Sequence, residues 1–140
     1  MTVPLWVLLA FAGWTLLTLI TGVGIHRWSH ILTGRAKPVD YRADFPHGPE
    51  RYRYAMRAHA NCIENLPVYA SIVLAMVATG VIAPVLDQLA LVFIAARVAQ
   101  TTVHIVPPGT NTWVLIRAML FIVQLVCMAW MGIYVALRAA

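Results

Sequence analysis

Charge is what this chain has least of. Of its 140 residues only 11% are charged, five acidic against ten basic, while 61% are hydrophobic. Mean hydropathy is +0.79. A water-soluble domain of this length cannot hide so much apolar surface, so the expected solvent is lipid. Cysteine is scarce as well. Cys62 and Cys127 offer no disulfide framework and no metal-ligand spacing, and they read as small buried hydrophobes. The alternation of apolar and polar residues that a membrane β-barrel needs is missing. Repeats and low-complexity tracts are absent, and no basic patch lies on a separate soluble domain, which argues against a nucleic-acid partner. The first apolar run lacks a basic leader and is too long for a signal-peptide core, so it is expected to remain as a helix.

Apolar runs are what the sequence has in their place. Residues 1–25, 65–86 and 118–137 carry no charged side chain, and 88–106 contains only Arg97 and the titratable His104. Each run can supply the roughly 20 helical residues that cross a hydrocarbon core of about 30 Å. The sequence predicts an all-α, integral membrane four-helix bundle, a single domain over 1–140, with spans near 3–25, 56–80, 86–106 and 113–137. Gly13, Gly22 and Gly24 suit close helix approach. Seven of the ten basic residues, Arg27, Arg35, Lys37, Arg42, Arg51, Arg53 and Arg57, flank or fill the first connection, and Gly80 to Asp87 has none. The positive-inside rule then makes the first loop cytoplasmic and both termini external, with the net +5 serving topology and headgroup contact.

Against this background a polar run at the start of the second span stands out: Arg57-Ala58-His59-Ala60-Asn61-Cys62-Ile63-Glu64-Asn65-Leu66-Pro67. Ionisable groups inside a bilayer are costly and serve an ion, a proton or a polar ligand. Arg57, Asn61 and Glu64 have i, i+4, i+7 spacing and share a helix face. Arg97, Gln100 and His104, spaced i, i+3, i+7, form a second stripe on the third span. At 1.5 Å per residue Glu64 lies about 10 Å inside Arg57, and Arg97 about 14 Å inside Val106. The stripes can therefore meet in the cytoplasmic half of the membrane. Together they suit a ligand with carboxylate, amine and amide groups, since arginine forks bind carboxylates and a carboxylate holds an ammonium. The competing expectation is a structural Glu64–Arg97 salt bridge that fixes helix register.

Other features are weaker. Pro67 can kink the second helix and open space beside the stripe, or serve packing alone. His26 and His30 are spaced i, i+4 without a convincing third ligand, so no metal site is expected. His59 faces away from the Arg57 stripe, toward a neighbouring helix or subunit. Trp6, Trp113 and Trp130 fit interfacial belts. Pro107-Pro108-Gly109-Thr110-Asn111 reads as the turn between the last two helices.

The segment from Glu50-Arg51 through Arg57-Ala-His59-Ala-Asn61-Cys62-Ile-Glu64-Asn65-Leu-Pro67 resembles the signature of the MAPEG family, membrane-associated proteins in eicosanoid and glutathione metabolism. In that family a R-A-H/Q-x-N-x-x-E-x-x-P-like motif opens the second of four helices. The third helix carries an arginine with polar positions three and seven residues on, as do Arg97, Gln100 and His104. An arginine early in the fourth helix resembles Arg117. The resemblance covers nearly the whole chain. It implies a homotrimer in a membrane, with glutathione bound as co-substrate between subunits and a lipophilic electrophile or hydroperoxide arriving through lipid. It carries Arg57, Asn61, Glu64 and Arg97 over as glutathione-holding residues, His59 as a further contact, and Gln100 and His104 to positions where family enzymes often have tyrosines. Arg117 becomes the catalytic residue that stabilises the thiolate, because a nearby cation lowers a thiol pKa. The interval from Arg97 to Arg117 needs an inserted turn.

The expected function is thus a bacterial-style membrane glutathione transferase or peroxidase, in a bacterial inner membrane. One rival is a non-catalytic family member that binds lipid or a small molecule. Another is a small multidrug transporter using Glu64, although a carboxylate ringed by Arg57, Asn61 and Arg97 suits a fixed charge better than proton cycling. The topology is directly testable. In Asp40→Cys protein in intact cells, an impermeant thiol reagent added outside should leave position 40 unlabelled; labelling there would reverse the orientation.

Overall fold

The computed structural model describes residues 1–41, 48–105 and 110–139. Arg42 and most of the Pro107–Asn111 turn, Pro107 to Gly109, lie outside the described residues. Four helices are long and apolar enough to cross a membrane: α1 (Val3–Leu32), α2 (Glu50–Thr79), α3 (Pro84–Ile105) and α4 (Asn111–Ala139). Every element among the described residues is helical. The protein is a multi-pass integral membrane protein, and the four expected spans are present.

Their limits differ from the sequence expectation. α1 runs seven residues past 25 and α2 begins six before 56. The extensions carry Arg27, His30, Arg51 and Arg53, which hydropathy alone assigns to a loop. A helix satisfies its own backbone hydrogen bonds, so it can continue from hydrocarbon into the headgroup layer without penalty. Proline and glycine set the ends. Pro4 lies in the first turn of α1, Pro49 precedes α2, and Pro84 opens α3, all positions that need no amide donor. At the end of α2, Gly80 takes φ +68°. There Val81 N–H donates to Met76 O and Gly80 N–H to Val77 O, the paired bonds of a Schellman motif. Pro67 sits inside α2, which continues through it as one helix.

α1 departs from regular geometry over Leu19–Gly24, where the backbone winds as a π-helix. A widened turn lets one helix adjust to a close neighbour. The neighbour here is α2: a Cβ placed on Gly22 would lie 3.1 Å from Ala55 Cβ. α1 packs on both α2 and α3, α2 also meets α4, and α3 and α4 form the closest pair. Away from the loop side the core is aromatic. Phe11 of α1 meets Tyr69 of α2 and Phe93 of α3 edge-on, with centroids at 6.3 and 5.3 Å. Tyr69 and Phe93 stack at 4.4 Å. Burial of the Tyr69 ring leaves its hydroxyl needing a partner, which is Pro4 O at 3.3 Å.

Glycine contacts give a paired test of this packing. Gly22→Val should lower thermal stability in detergent by about 1–3 kcal/mol, the range for overpacking a close contact. Gly13→Val, where an added Cβ meets nothing within 4 Å, should leave it unchanged.

Candidate functional site

The polar residues singled out by spacing fall into two groups on opposite sides of a helix wall. Arg57 and Glu64 are exposed on the outer surface of α2, and Asn61 is half-buried beside them. Arg97 is 0% exposed, and Gln100 is buried with it inside the bundle. Periodicity groups these residues helix by helix. It could not say that one group points out of the protomer and the other in.

Arg97 is the largest fully buried side chain among the described residues. Its Nη1 donates to Gln100 Oε1 at 3.0 Å. Its guanidinium carbon lies 5.5 Å from the Phe11 ring centroid, a cation–π contact. Nε and Nη2 have no hydrogen-bond partner among the described residues. Glu64 is near enough to act electrostatically on this charge, yet the two do not pair. The expected structural salt bridge is therefore not made within the protomer, because α2 turns Glu64 outward while α3 turns Arg97 inward.

Gln100 is the centre of a network between α3 and α4. Its Oε1 accepts from Arg97 and also from Gln124 Nε2 at 3.1 Å. Its Nε2 donates to Arg117 O at 3.4 Å. Gln124 Nε2 also reaches Leu120 O at 2.8 Å, and Gln124 Oε1 is buried without a partner among the described residues. Gln124 was not singled out by the sequence reading, though it lies seven residues after Arg117 and so on the same face. On the other side of Arg97, Thr101 Oγ1 donates to Arg97 O at 2.8 Å and accepts from Trp14 Nε1 at 3.2 Å. Cys62 Sγ lies 3.8 Å from the same hydroxyl. Cys62 and Cys127 are both buried and unpaired.

Arg117 is committed to the end of α3. Its Nε and Nη2 donate to Val103 O at 3.3 and 3.0 Å, and Nη2 also reaches His104 O at 3.4 Å. These are carbonyls of the last turn, which carry the negative end of the helix dipole and lack partners within the helix. The Tyr54 ring lies against the same guanidinium, 5.5 Å from its carbon, and Tyr54 Oη donates to Glu50 Oε1 at 3.3 Å. His104 Nδ1 is buried without a partner among the described residues, within electrostatic range of both Arg117 and Arg57. Arg57, His104 and Arg117 are thus gathered near the loop end of the bundle. Tyr54 joins them, one turn before Arg57 on α2, a neighbour that the motif did not mark.

His59 meets α1, as its position on the helix suggested. Its Nδ1 lies 3.1 Å from Thr18 Oγ1, whose hydroxyl donates to Thr15 O at 2.8 Å. The His26 and His30 rings lie 4.3 Å apart, tilted by 39°, and His30 Nδ1 lies 2.8 Å from His26 O. No cluster of three metal-ligating side chains occurs among the described residues.

The model of the MAPEG family matches residues 3–137. The chain belongs to the MAPEG family. No curated protein and no solved structure matches it. In this MAPEG protein the outer stripe of α2 carries the family-like motif, and the Arg97–Gln100–Gln124 cluster lies inside the bundle.

The network makes a ranked prediction. Gln100→Leu strips an acceptor from a buried guanidinium and from Gln124, so it should lower stability by about 3 kcal/mol. Gln124→Leu removes one neutral partner and should cost nearer 1 kcal/mol. Thermal unfolding in detergent, followed by circular dichroism, reads both.

Proposed function

We propose that this protein is a membrane glutathione transferase or peroxidase acting on lipophilic electrophiles or lipid hydroperoxides. It works as a homotrimer with glutathione held between subunits. The observation that carries this reading is the exposure of Arg57 and Glu64 on the outside of a membrane-spanning helix. An ionised carboxylate facing hydrocarbon is costly. A second copy laid over this face encloses the stripe and makes it the wall of a polar site. Arg57 then takes a carboxylate of glutathione, Glu64 its ammonium, and Asn61 an amide. His59 is a further contact. Arg97 stands behind the stripe as counter-charge to Glu64.

Gln100 and His104 back the mouth of the site, and Arg117 stabilises the thiolate. In conjugation the thiolate attacks an electrophilic carbon, and the displaced group leaves with the bonding pair. In peroxide reduction the thiolate attacks the terminal oxygen of ROOH, giving a glutathione sulfenic acid and an alkoxide that takes up a proton. A second glutathione then forms the disulfide and releases water. No protein nucleophile is required, since glutathione supplies the sulfur.

A second reading, a non-catalytic family member that binds lipid or a small molecule, draws support from Arg117. Its Nε and Nη2 already serve the Val103 and His104 carbonyls. Measuring glutathione affinity and then thiolate formation by ultraviolet difference absorbance separates the two. Glu64→Gln should weaken glutathione binding by at least about 1.5 kcal/mol, the lower range for a charge-assisted hydrogen bond. Arg117→Ala should reduce the thiolate fraction and the turnover of a small aromatic electrophile and of a lipid hydroperoxide, with binding largely kept. Binding without thiolate or turnover in the wild type would select the non-catalytic reading. Unchanged activity in Arg117→Ala would remove that arginine from the mechanism.

A further inference from the structure

A thiolate beside Arg117 leaves one proton without a destination. A free thiol has a pKa of about 8.5, so glutathione arrives protonated at neutral pH and its proton must be taken up as the sulfur anion forms. Arg57, Arg97 and Arg117 cannot take it, because a guanidinium stays protonated in proteins. A carboxylate such as Glu64 is too weak a base, with an ordinary pKa of about 4.3. The Tyr54 phenol is a donor, engaged with Glu50 Oε1. His59 is turned toward Thr18 of α1. Among the described residues gathered at the loop end of the bundle, His104 is left.

Its placement suits a proton acceptor. His104 lies in the last turn of α3, where the negative end of the helix dipole favours an imidazolium. Arg117 Nη2 reaches the His104 carbonyl at 3.4 Å, so the cation that meets the sulfur and the imidazole are anchored to one helical turn. The ring is half-buried. Nδ1 is the enclosed nitrogen, while Nε2 is not enclosed and makes no hydrogen bond among the described residues. Arg117 from α4 and Arg57 from α2 are the charged groups that act on the ring among the described residues. Both are like charges for an imidazolium, and a thiolate formed beside them offsets both.

We infer that His104 is the proton acceptor of the reaction: its Nε2 takes the thiol proton of glutathione and, in peroxide reduction, gives it to the departing alkoxide. The inference rests on the transferase or peroxidase reading above. In the first step the S–H bond breaks and an N–H bond forms, giving an imidazolium–thiolate pair. In the second the thiolate attacks the terminal oxygen of ROOH, and the O–O bond breaks with its electron pair on the departing oxygen. The Nε2 proton passes to that oxygen, giving ROH and restoring the neutral ring. With an aryl chloride the departing chloride needs no proton, and the imidazolium loses its proton to water.

Two measurements on the purified protein test this. The first counts protons. Glutathione is added in weak buffer with a pH-indicator dye while thiolate is followed by ultraviolet difference absorbance. S-methylglutathione, which has no thiol proton, gives the baseline for all other groups. At neutral pH the wild type should release markedly less than a full proton per thiolate formed, and His104→Gln should release a full one. Thiolate with full release in the wild type overturns His104 as acceptor and leaves the enzyme reading standing, whereas no thiolate at all overturns both. That count needs no variant to fold. The second measurement compares substrates. His104→Gln should lower turnover of a lipid hydroperoxide by about 100-fold relative to turnover of chlorodinitrobenzene, the lower range for general acid catalysis. Equal losses on the two substrates would make the side chain a mere support of the site and overturn the proposal.

Discussion

A guanidinium inside a lipid-embedded bundle cannot be hydrated, and Arg97 obliges its neighbours to answer that. Its charge is met by Gln100 Oε1 on one side and the Phe11 ring on the other. Each of these is fixed in turn. Gln100 is tied to Gln124 and to the Arg117 backbone, and Phe11 packs edge-on against the stacked Tyr69 and Phe93 rings. The polar network that joins α3 to α4 and the aromatic cluster that joins α1 to α2 and α3 therefore converge on one side chain. Two of its nitrogens remain unanswered among the described residues. In a low dielectric that is a standing demand for an acceptor, and it lies immediately behind the outward-facing stripe of α2.

The spans were legible because lipid imposes a simple rule on composition: where charge disappears for about 20 residues, a helix crosses. Their ends were less so. Arg51, Arg53 and Arg27 look like loop residues in a hydropathy profile, yet a helix pays nothing to project them into the headgroup layer. The i, i+4, i+7 spacing of Arg57, Asn61 and Glu64 identified a shared face without the structure. Which way that face turns depends on how α2 packs against its neighbours, and a one-helix pattern does not contain it. Arg97 and Glu64 look like natural ion-pair partners in the sequence and are separated by that rotation alone.

Gln124 and Tyr54 illustrate two further limits. Gln124 is a single polar residue in an apolar run, and its meaning lies in the partner it reaches on α3. Its spacing from Arg117 was visible and unused. Tyr54 lies outside the motif, and only the approach of α4 brings it against Arg117. Arg117 in turn combines two demands, holding the last carbonyls of α3 and standing where the family resemblance puts the thiolate-stabilising cation. The carbonyl contacts fix the direction of the guanidinium, which is what a pre-organised electrostatic site requires.

The π-helical segment Leu19–Gly24 also sets a rotational phase. A π turn holds one residue more than an α turn, so the side chains beyond it stand about 100° away from where an uninterrupted α-helix would put them. Thr15 and Phe11 before it and Arg27 after it are aimed by different settings of the same rod. An uninterrupted α-helix of the same number of residues would swing Arg27 off Tyr52 while leaving Phe11 in place, and removing one residue together with the π winding would bring it back. The length of this segment, more than the identity of any residue in it, decides which partners the last turns of α1 can reach.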